Sequence, residues 1–241
     1  MQQIYSIANN SKIKSFKTSV LIDKNGCFFA KISDRGELIN LEKTTDLTIS
    51  EMQRGCIGVV LSTSYVTIVP EELFDYSRRQ EFLEAAGIYP KQNEVVEVSS
   101  AIDGVIAVMA VDKQLSQTLK ELNVSKFHSM QMNLVRARDK KLRTGTVLLL
   151  NLSSDSLTAT LHVDGKLKLA EVFPVANNDE ILFIVKNIEQ ELFPSNGVMK
   201  IWGIGATDCY EYLRQFVDKI ELDIIDKKET VEYNNLIIST E

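Results

Sequence analysis

The side chains of this sequence with the readiest chemistry are three cysteines, two histidines and one Glu-Glu pair, and their spacing supports neither a catalytic nor a metal centre. Cys27, Cys56 and Cys209 are far apart, odd in number and form no C-x-x-C pair, which argues against a disulfide framework and against zinc. No basic residue recurs beside them to activate a thiolate, so buried apolar cysteines are expected. His128 and His162 stand outside any cluster of zinc-ligand spacing, and no G-x-S-x-G elbow supplies a serine for either to activate. Glu71 and Glu72 would project about 100° apart on a helix and cannot converge on one bond. They read as charges at a helix start, where they complement the positive end of the dipole.

Arg136, Arg138, Lys140, Lys141 and Arg143, offset by Asp139, form the one basic cluster. It falls at the C-terminal end of an expected helix, where cations meet the negative end of the dipole, and no stacking aromatics are interleaved with it. The chain as a whole carries 33 acidic against 27 basic residues, a formal charge of −6, which repels nucleic acid and anionic membrane at long range. With 241 residues, 44% hydrophobic and 25% charged, it can bury one large core or two moderate ones. Residues 1–10 show no basic segment followed by an apolar run, and no stretch approaches the roughly 18 apolar residues of a membrane span. A cytoplasmic protein without membrane insertion is expected.

The elements that would position these side chains alternate between strands and helices. Strands are expected at Thr18–Asp23, Cys27–Ser33 and Glu37–Lys43, joined by turns ending in Gly26 and Gly36, where glycine supplies the positive φ of a tight hairpin. A helix is expected over Thr45–Gly55, then strands from Ile57 and Tyr65. Pro70 opens a helix, and Ser77 with Gln80 forms a capping box that restarts it. Asn93–Val98 and Gly104–Val111 read as a strand pair. Asp112 caps a helix with an apolar stripe at Leu115, Leu119 and Leu122, and a further helix runs from Ser129 to Leu142 with Met130, Met132 and Leu134 in its core.

The opening pattern then recurs. Val20-Leu-Ile-Asp-Lys-Asn-Gly-Cys-Phe-Phe-Ala-Lys-Ile-Ser-Asp-Arg-Gly-Glu-Leu is echoed by Leu148-Leu-Leu-Asn-Leu-Ser-Ser-Asp-Ser-Leu-Thr-Ala-Thr-Leu-His-Val-Asp-Gly-Lys-Leu. Aligning Gly36 with Gly165 and Asp23 with Asn151 requires one inserted residue, placed in the first hairpin, where an exposed turn tolerates it. A helix capped by Asn178 with the stripe Ile181, Ile184, Val185, Ile188 and Leu192 follows. After it come a strand Val198–Trp202, a helix from Thr207 and a strand Ile220–Ile225. Each half therefore reads as three antiparallel strands followed by alternating helices and strands.

That order resembles a ribonuclease-H-like lobe, and two in tandem resemble the actin, sugar-kinase and Hsp70 superfamily. The run Val108-Met-Ala-Val-Asp-Lys-Gln-Leu-Ser-Gln-Thr-Leu-Lys-Glu-Leu, then Lys126-Phe-His-Ser, a helix and a fresh meander, resembles the lobe junction of PilM-like, FtsA-like and GspL-like cytoplasmic scaffolds. Together with Val66-Thr-Ile-Val-Pro-Glu-Glu-Leu-Phe-Asp, it is similar to a bacterial family of unknown function with an actin-like fold. The resemblance implies an α/β chain of duplicated lobes with mixed sheets flanked by helices. The first lobe would span residues 1–127, with a small insertion near 64–98, and the second residues 128–241.

In that superfamily the first hairpin of each lobe carries an Asp-x-Gly phosphate loop, whose glycine admits backbone N–H groups to the phosphates. Here the first lobe has Asp23, Asn25 and Gly26, with the glycine displaced by one residue. The second has Asn151 and Ser153 in place of the aspartate and glycine, with Asp155 nearby. Gly203 and Gly205 resemble the paired-glycine turn at adenosine, with Ile204 between them. Asparagine lacks the charge that attracts magnesium, so hydrolysis is not expected and no cofactor is assigned. The leading reading is a noncatalytic scaffold or interaction module with an unknown protein partner, a homodimer being left open. One alternative is a divergent ATPase or kinase binding ATP and magnesium through Asp23 and Asp155. The other is a regulatory protein- or RNA-binding module that uses the basic helix end.

Overall fold

The structure is a computed structural model describing residues 2–6, 16–23, 26–33, 38–44, 56–121, 127–141, 145–153, 155–193, 197–203 and 206–222. These residues divide into two compact units, the first running to Asn133 and the second from Leu134.

In the first unit, β1 (Gln2–Ser6), β2 (Phe16–Asp23), β3 (Gly26–Ser33), β4 (Leu38–Thr44), β5 (Cys56–Leu61) and β9 (Phe127–Ser129) form a six-stranded sheet in the order β1-β4-β3-β2-β5-β9. Neighbours β1 to β4, β4 to β3 and β3 to β2 are antiparallel, whereas β5 runs parallel to both β2 and β9. Val20, Leu21, Phe28, Ala30, Ile32, Leu41, Val59 and Val60 are buried in this sheet.

Between β5 and β9 the chain builds a second, three-stranded antiparallel sheet from β6 (Val66–Pro70), β7 (Glu94–Val98) and β8 (Val105–Asp112), with β8 central. Strand β8 is hydrogen-bonded along both edges, and consecutive residues Ile106-Ala-Val-Met-Ala-Val are all buried, so both of its faces are covered and the run is apolar throughout. Helix α1 (Arg79–Ala85) seats Leu83 against Val69, Val108 and Ala110, with Phe74 and Phe82 packed around them. Helix α2 (Lys113–Glu121) starts where the Asp112 carboxylate accepts from the N–H groups of Gln114 and Leu115, as expected of its cap. The turn into β8 uses Asp103 and Gly104, with φ of 54° and 73°, which is the left-handed pair a two-residue hairpin requires.

Several local expectations shift. Pro70 ends β6 and is followed only by a single 3₁₀ turn, Glu71–Leu73. Asp75, rather than Ser77, starts the next turn, because its carboxylate accepts from both the N–H and the hydroxyl of Ser77. Helix α3 (Met130–Lys141) begins after Ser129, whose hydroxyl accepts from the Met132 N–H, and Met130, Met132 and Leu134 are buried as expected. The expected helix over Thr45–Gly55 lies outside the described residues.

In the second unit, β10 (Thr146–Leu152), β11 (Ser156–Val163), β12 (Lys166–Pro174), β13 (Val198–Gly203) and β14 (Ile220–Leu222) form a sheet in the order β12-β11-β10-β13-β14. The first three strands are antiparallel and the last two parallel to β10. Helix α4 (Asn178–Leu192) buries Ile181, Val185 and Ile188, while Leu192 lies 44% exposed. Its cap is Asn177, whose side chain accepts from the Glu180 N–H, one residue before the expected Asn178. Helix α5 (Ala206–Leu213) buries Ala206, Cys209 and Leu213.

The strand ladders of the two units superpose in register, down to a shared irregularity. In the first unit the β3–β4 ladder steps from Lys31 paired with Asn40 to Ile32 paired with Leu38, which leaves Ile39 as a bulge. In the second, β11–β12 steps from Leu161 with Leu169 to His162 with Leu167, leaving Lys168. With the bulges aligned, Cys27 falls on Leu157, so Ile22, the partner of Cys27, falls on Leu152, the partner of Leu157. Asp23 therefore corresponds to Ser153 rather than Asn151. The first hairpins have equal length, and the extra residue of the first unit sits in the β3–β4 turn.

Candidate functional site

In both units the superfamily's phosphate loop would fall at the β-hairpin between the first two strands of the meander. In the first unit Asp23 ends β2, only 9% exposed, and pairs across the turn with Gly26, whose φ of 133° is accessible to glycine. The Ser62 N–H donates to the Ile22 carbonyl at 2.9 Å and so ties the end of β5 beside this turn. Asn25 lies outside the described residues.

In the second unit the equivalent turn closes on itself. The Ser153 N–H donates to the Ser156 carbonyl at 2.9 Å, and the two hydroxyls lie 2.7 Å apart. Ser153 occupies the position of Asp23, carries no charge and already has its hydrogen-bond partner within the turn. Asp155 is exposed, and its backbone carbonyl accepts from the Val175 N–H at 3.0 Å. Gly203, the last residue of β13, is in register with Leu152 and has φ of 111°. A Cβ there would lie 1.9 Å from the Leu152 carbonyl oxygen, so the glycine is demanded by the approach of the two strands themselves. Gly205 lies outside the described residues.

Asn151 sits two residues before Ser153 on the same face of β10, 1% exposed, and its side-chain N–H₂ donates to nothing among the described residues. Thr158 stands directly across from it, and Thr160 and His162 continue the row along β11, all three at most 2% exposed. The sequence points to Asn151 and His162 singly, not to the buried row that joins them through Thr158 and Thr160. The row's signal is the alternation Thr158-Ala-Thr-Leu-His, which normally marks a half-solvated strand and here lies on a strand buried on both faces. Beside the second turn, among the described residues, there are thus hydroxyl and amide groups but no buried carboxylate, while the His162 imidazole lies at the far end of the row, across from Val147. Among the described residues no group of three or more His, Cys, Asp or Glu side chains could hold a metal ion.

The profile of a family described as "Protein of unknown function (DUF3822)" matches residues 50–220. The chain belongs to the DUF3822 family. No curated protein matches it in sequence. Among solved structures, a Bacteroides thetaiotaomicron protein described as having an actin-like ATPase fold and unknown function superposes with a TM-score of 0.70 at 14% identity, over 96% of this chain and 99% of that one. The ethanolamine utilization protein EutJ of Carboxydothermus hydrogenoformans gives 0.51 at 9% identity over 93% and 90%, and a chain of the PilM–PilN type IV pilus biogenesis complex gives 0.51 at 13% over 84% and 85%. At such identities these likenesses establish the fold: an α/β chain of duplicated ribonuclease-H-like units with the actin-like ATPase architecture.

The remaining candidates of this DUF3822 chain lie apart from the hairpins. His128 is buried on β9 of the first unit and His162 on β11 of the second. Cys209, 1% exposed on α5, has its thiol pushed up to about 11 by burial, the opposite of an activated nucleophile. Glu71 and Glu72 are exposed in the 3₁₀ turn that stands in place of the expected helix start. Of the basic cluster, Arg136 is half-buried, the side chains of Arg138, Lys140 and Lys141 lie outside the described residues, and so does Arg143. A groove of about 470 Å³ in the second unit is lined by Pro174, Asn177, Asp179, Glu180, Phe183 and Ile184, none of them a phosphate-loop candidate. No described helix is long and apolar enough to cross a membrane.

Proposed function

We propose that this DUF3822 chain is a noncatalytic actin-like scaffold, working in the cytoplasm by holding a protein partner rather than by hydrolysing ATP. The observation that carries the proposal is the second hairpin. Where the first unit has Asp23, the second has Ser153, hydrogen-bonded within its own turn to Ser156. Hydrolysis on this architecture needs an acid on each side to position metal and water, and a serine supplies neither charge nor a strong base. Gly203, the residue most suggestive of a nucleotide turn, already has a reason to be glycine in the approach to Leu152. PilM, named in a complex with PilN, offers a precedent for a chain of similar fold that assembles with a protein.

One observation favours a second reading, nucleotide binding without turnover: the buried Asn151 amide has an unused donor. A thermal-shift titration with Mg-ATP, ADP and AMP decides between the readings, since a ligand at 100 times its Kd stabilises by about 2.7 kcal/mol. No shift at millimolar nucleotide is expected. A rise of several degrees that Asn151→Leu abolishes would establish the nucleotide-binding reading, and phosphate release above background would overturn the scaffold proposal.

A further inference from the structure

The duplication lets each unit be compared with the other, and at one sheet edge they differ. In the first unit β4 is not an edge strand. The N-terminal strand β1 lies antiparallel against it, pairing Gln2, Gln3, Tyr5 and Ser6 with Lys43, Glu42, Leu41 and Asn40. The bulge alignment places Val172, Glu171, Ala170 and Leu169 of β12 at those same four positions, and among the described residues β12 pairs only with β11. One unit thus fills from its own chain an edge at which, among the described residues, the other places no strand beyond the outward backbone donors and acceptors of β12.

Edges left open in native proteins are usually guarded by lysine, proline or a bulge. The guards on β12 are Lys166, the bulged Lys168 and Pro174, and all of them flank the stretch Leu169–Phe173 without entering it. The bulge is no obstacle, because β4 carries the same one and still accepts β1. Glu171 is no obstacle either. Its counterpart Glu42 is also a glutamate, and it lies within the paired stretch, opposite Gln3. Leu169, Ala170, Val172 and Phe173 are half-buried, so a further strand would cover apolar surface on both faces of the sheet.

We propose that Leu169–Val172 of β12 is a strand-addition site that takes an extended segment of a partner protein, antiparallel, with a lysine, arginine or glutamine opposite Glu171. This deepens the scaffold reading and rests on it only for the existence of a partner. The chemistry of the occupant follows from the edge. Backbone hydrogen bonds supply affinity for any extended chain, and apolar residues on the partner match the half-buried leucine, valine and phenylalanine. The Glu171 carboxyl, although open to solvent along the edge, is desolvated enough by its surroundings to hold its pKa above the usual carboxylate range. A donor across from it satisfies that group, and a carboxylate there repels it.

The test is a display library of short random peptides selected on the full chain, with recovered sequences remeasured as free peptides by fluorescence polarisation. Recovered peptides should alternate apolar residues and carry Lys, Arg or Gln at one fixed position. Glu171→Lys should weaken them roughly tenfold while leaving the circular dichroism spectrum and melting profile unchanged. Peptides N-methylated at alternate amides give the decisive readout, because an added strand uses only the N–H groups on one side. One N-methyl series should lose binding and the other retain it. Equal loss in both series, indifference to Glu171→Lys, or no recovered peptide overturns the proposal. A concentration-dependent dimer in sedimentation velocity that Glu171→Lys dissociates also overturns it, assigning the edge to a second copy. Nucleotide titration stays separate: ATP turnover with strand-like peptide binding removes the scaffold reading and keeps this site, whereas no turnover and no peptide binding does the reverse.

Discussion

Replacing Gly203 by alanine separates a glycine kept for strand packing from one kept for a nucleotide. The added Cβ would meet the Leu152 carbonyl oxygen at 1.9 Å and the Leu152 nitrogen at 2.7 Å, both backbone atoms that no rotamer change can move aside. Relief requires β13 to retreat from β10 by about 1 Å, enough to weaken the parallel ladder that joins Leu152 to Gly203. A φ of 111° adds backbone strain of about 1–3 kcal/mol for a residue with a Cβ, and each ladder hydrogen bond lost adds about 1 kcal/mol. The substitution should therefore cost about 3–5 kcal/mol, a large part of a typical domain's 5–15. Urea unfolding followed by emission of Trp202, the single tryptophan and the neighbour of Gly203, should show a midpoint lowered by more than about 1 M. Gly87→Ala is the control: φ is 75° there but nothing lies within 4 Å of the added carbon, so only about 1 kcal/mol of conformational strain is expected. If the two variants unfold at the same urea concentration, the close approach is not what requires Gly203. Normal stability with altered nucleotide response would return that glycine to a ligand role.

Leu83, fully buried between α1 and the small sheet, should cost about 2–5 kcal/mol when cut to alanine, read as a lowered urea midpoint; a loss under about 1 kcal/mol would mean that the cluster collapses around the cavity. Cys209 should resist iodoacetamide at pH 8 in the folded protein and react only on unfolding, because burial and a thiol pKa near 11 leave only about one thiolate in a thousand; native labelling at the rate of free cysteine would contradict its burial. For Glu171 the folded-state pKa is raised, so the folded chain binds its proton more tightly than the unfolded chain, and the associated stability is present at low pH and lost as pH rises through the folded value. Glu171→Gln should accordingly be the more stable form at pH 7, with an advantage that shrinks as pH falls toward the ordinary carboxylate value of 4.5, and an advantage independent of pH would refute the desolvation argument.

Much of the architecture was legible because local chemistry and burial pattern agree. Asp164-Gly165 adopts φ of 46° and 81°, the left-handed pair that an Asp-Gly turn between β-prone runs announces. Asp112 caps its helix, and the 3.6-residue stripe of α4 buries Ile181, Val185 and Ile188. Strand β9 escaped because three residues, Phe127–Ser129, carry no periodicity; it exists by pairing in parallel with Val59–Leu61, far back in the chain. Asp75 took the cap from Ser77 because carboxylate and hydroxyl compete for the same N–H groups within two residues, a contest that composition does not decide. At the candidate site, the loss of the acid in the second copy was readable, but the polar row from Asn151 to His162 was not, since alternation alone does not say that both faces of β11 are covered.

By itself the sequence indicated that the two meanders are copies, that their second turns both end in glycine, Gly36 and Gly165, and that neither Asn151 nor Ser153 of the second copy is an aspartate. What it left open was which residue stands where Asp23 stands. Asn151 and Ser153 differ by two positions, and in a strand a slip of two returns every side chain to the same face, so hydrophobic pattern is blind to it. Only the ladder, anchored by the shared bulge at Ile39 and Lys168, assigns Ser153 to that position. The same tertiary comparison separates a sheet edge that the chain closes with β1 from the β12 edge, which no other described strand covers, because strand neighbours are set by long-range hydrogen bonding and not by the residues of either strand alone.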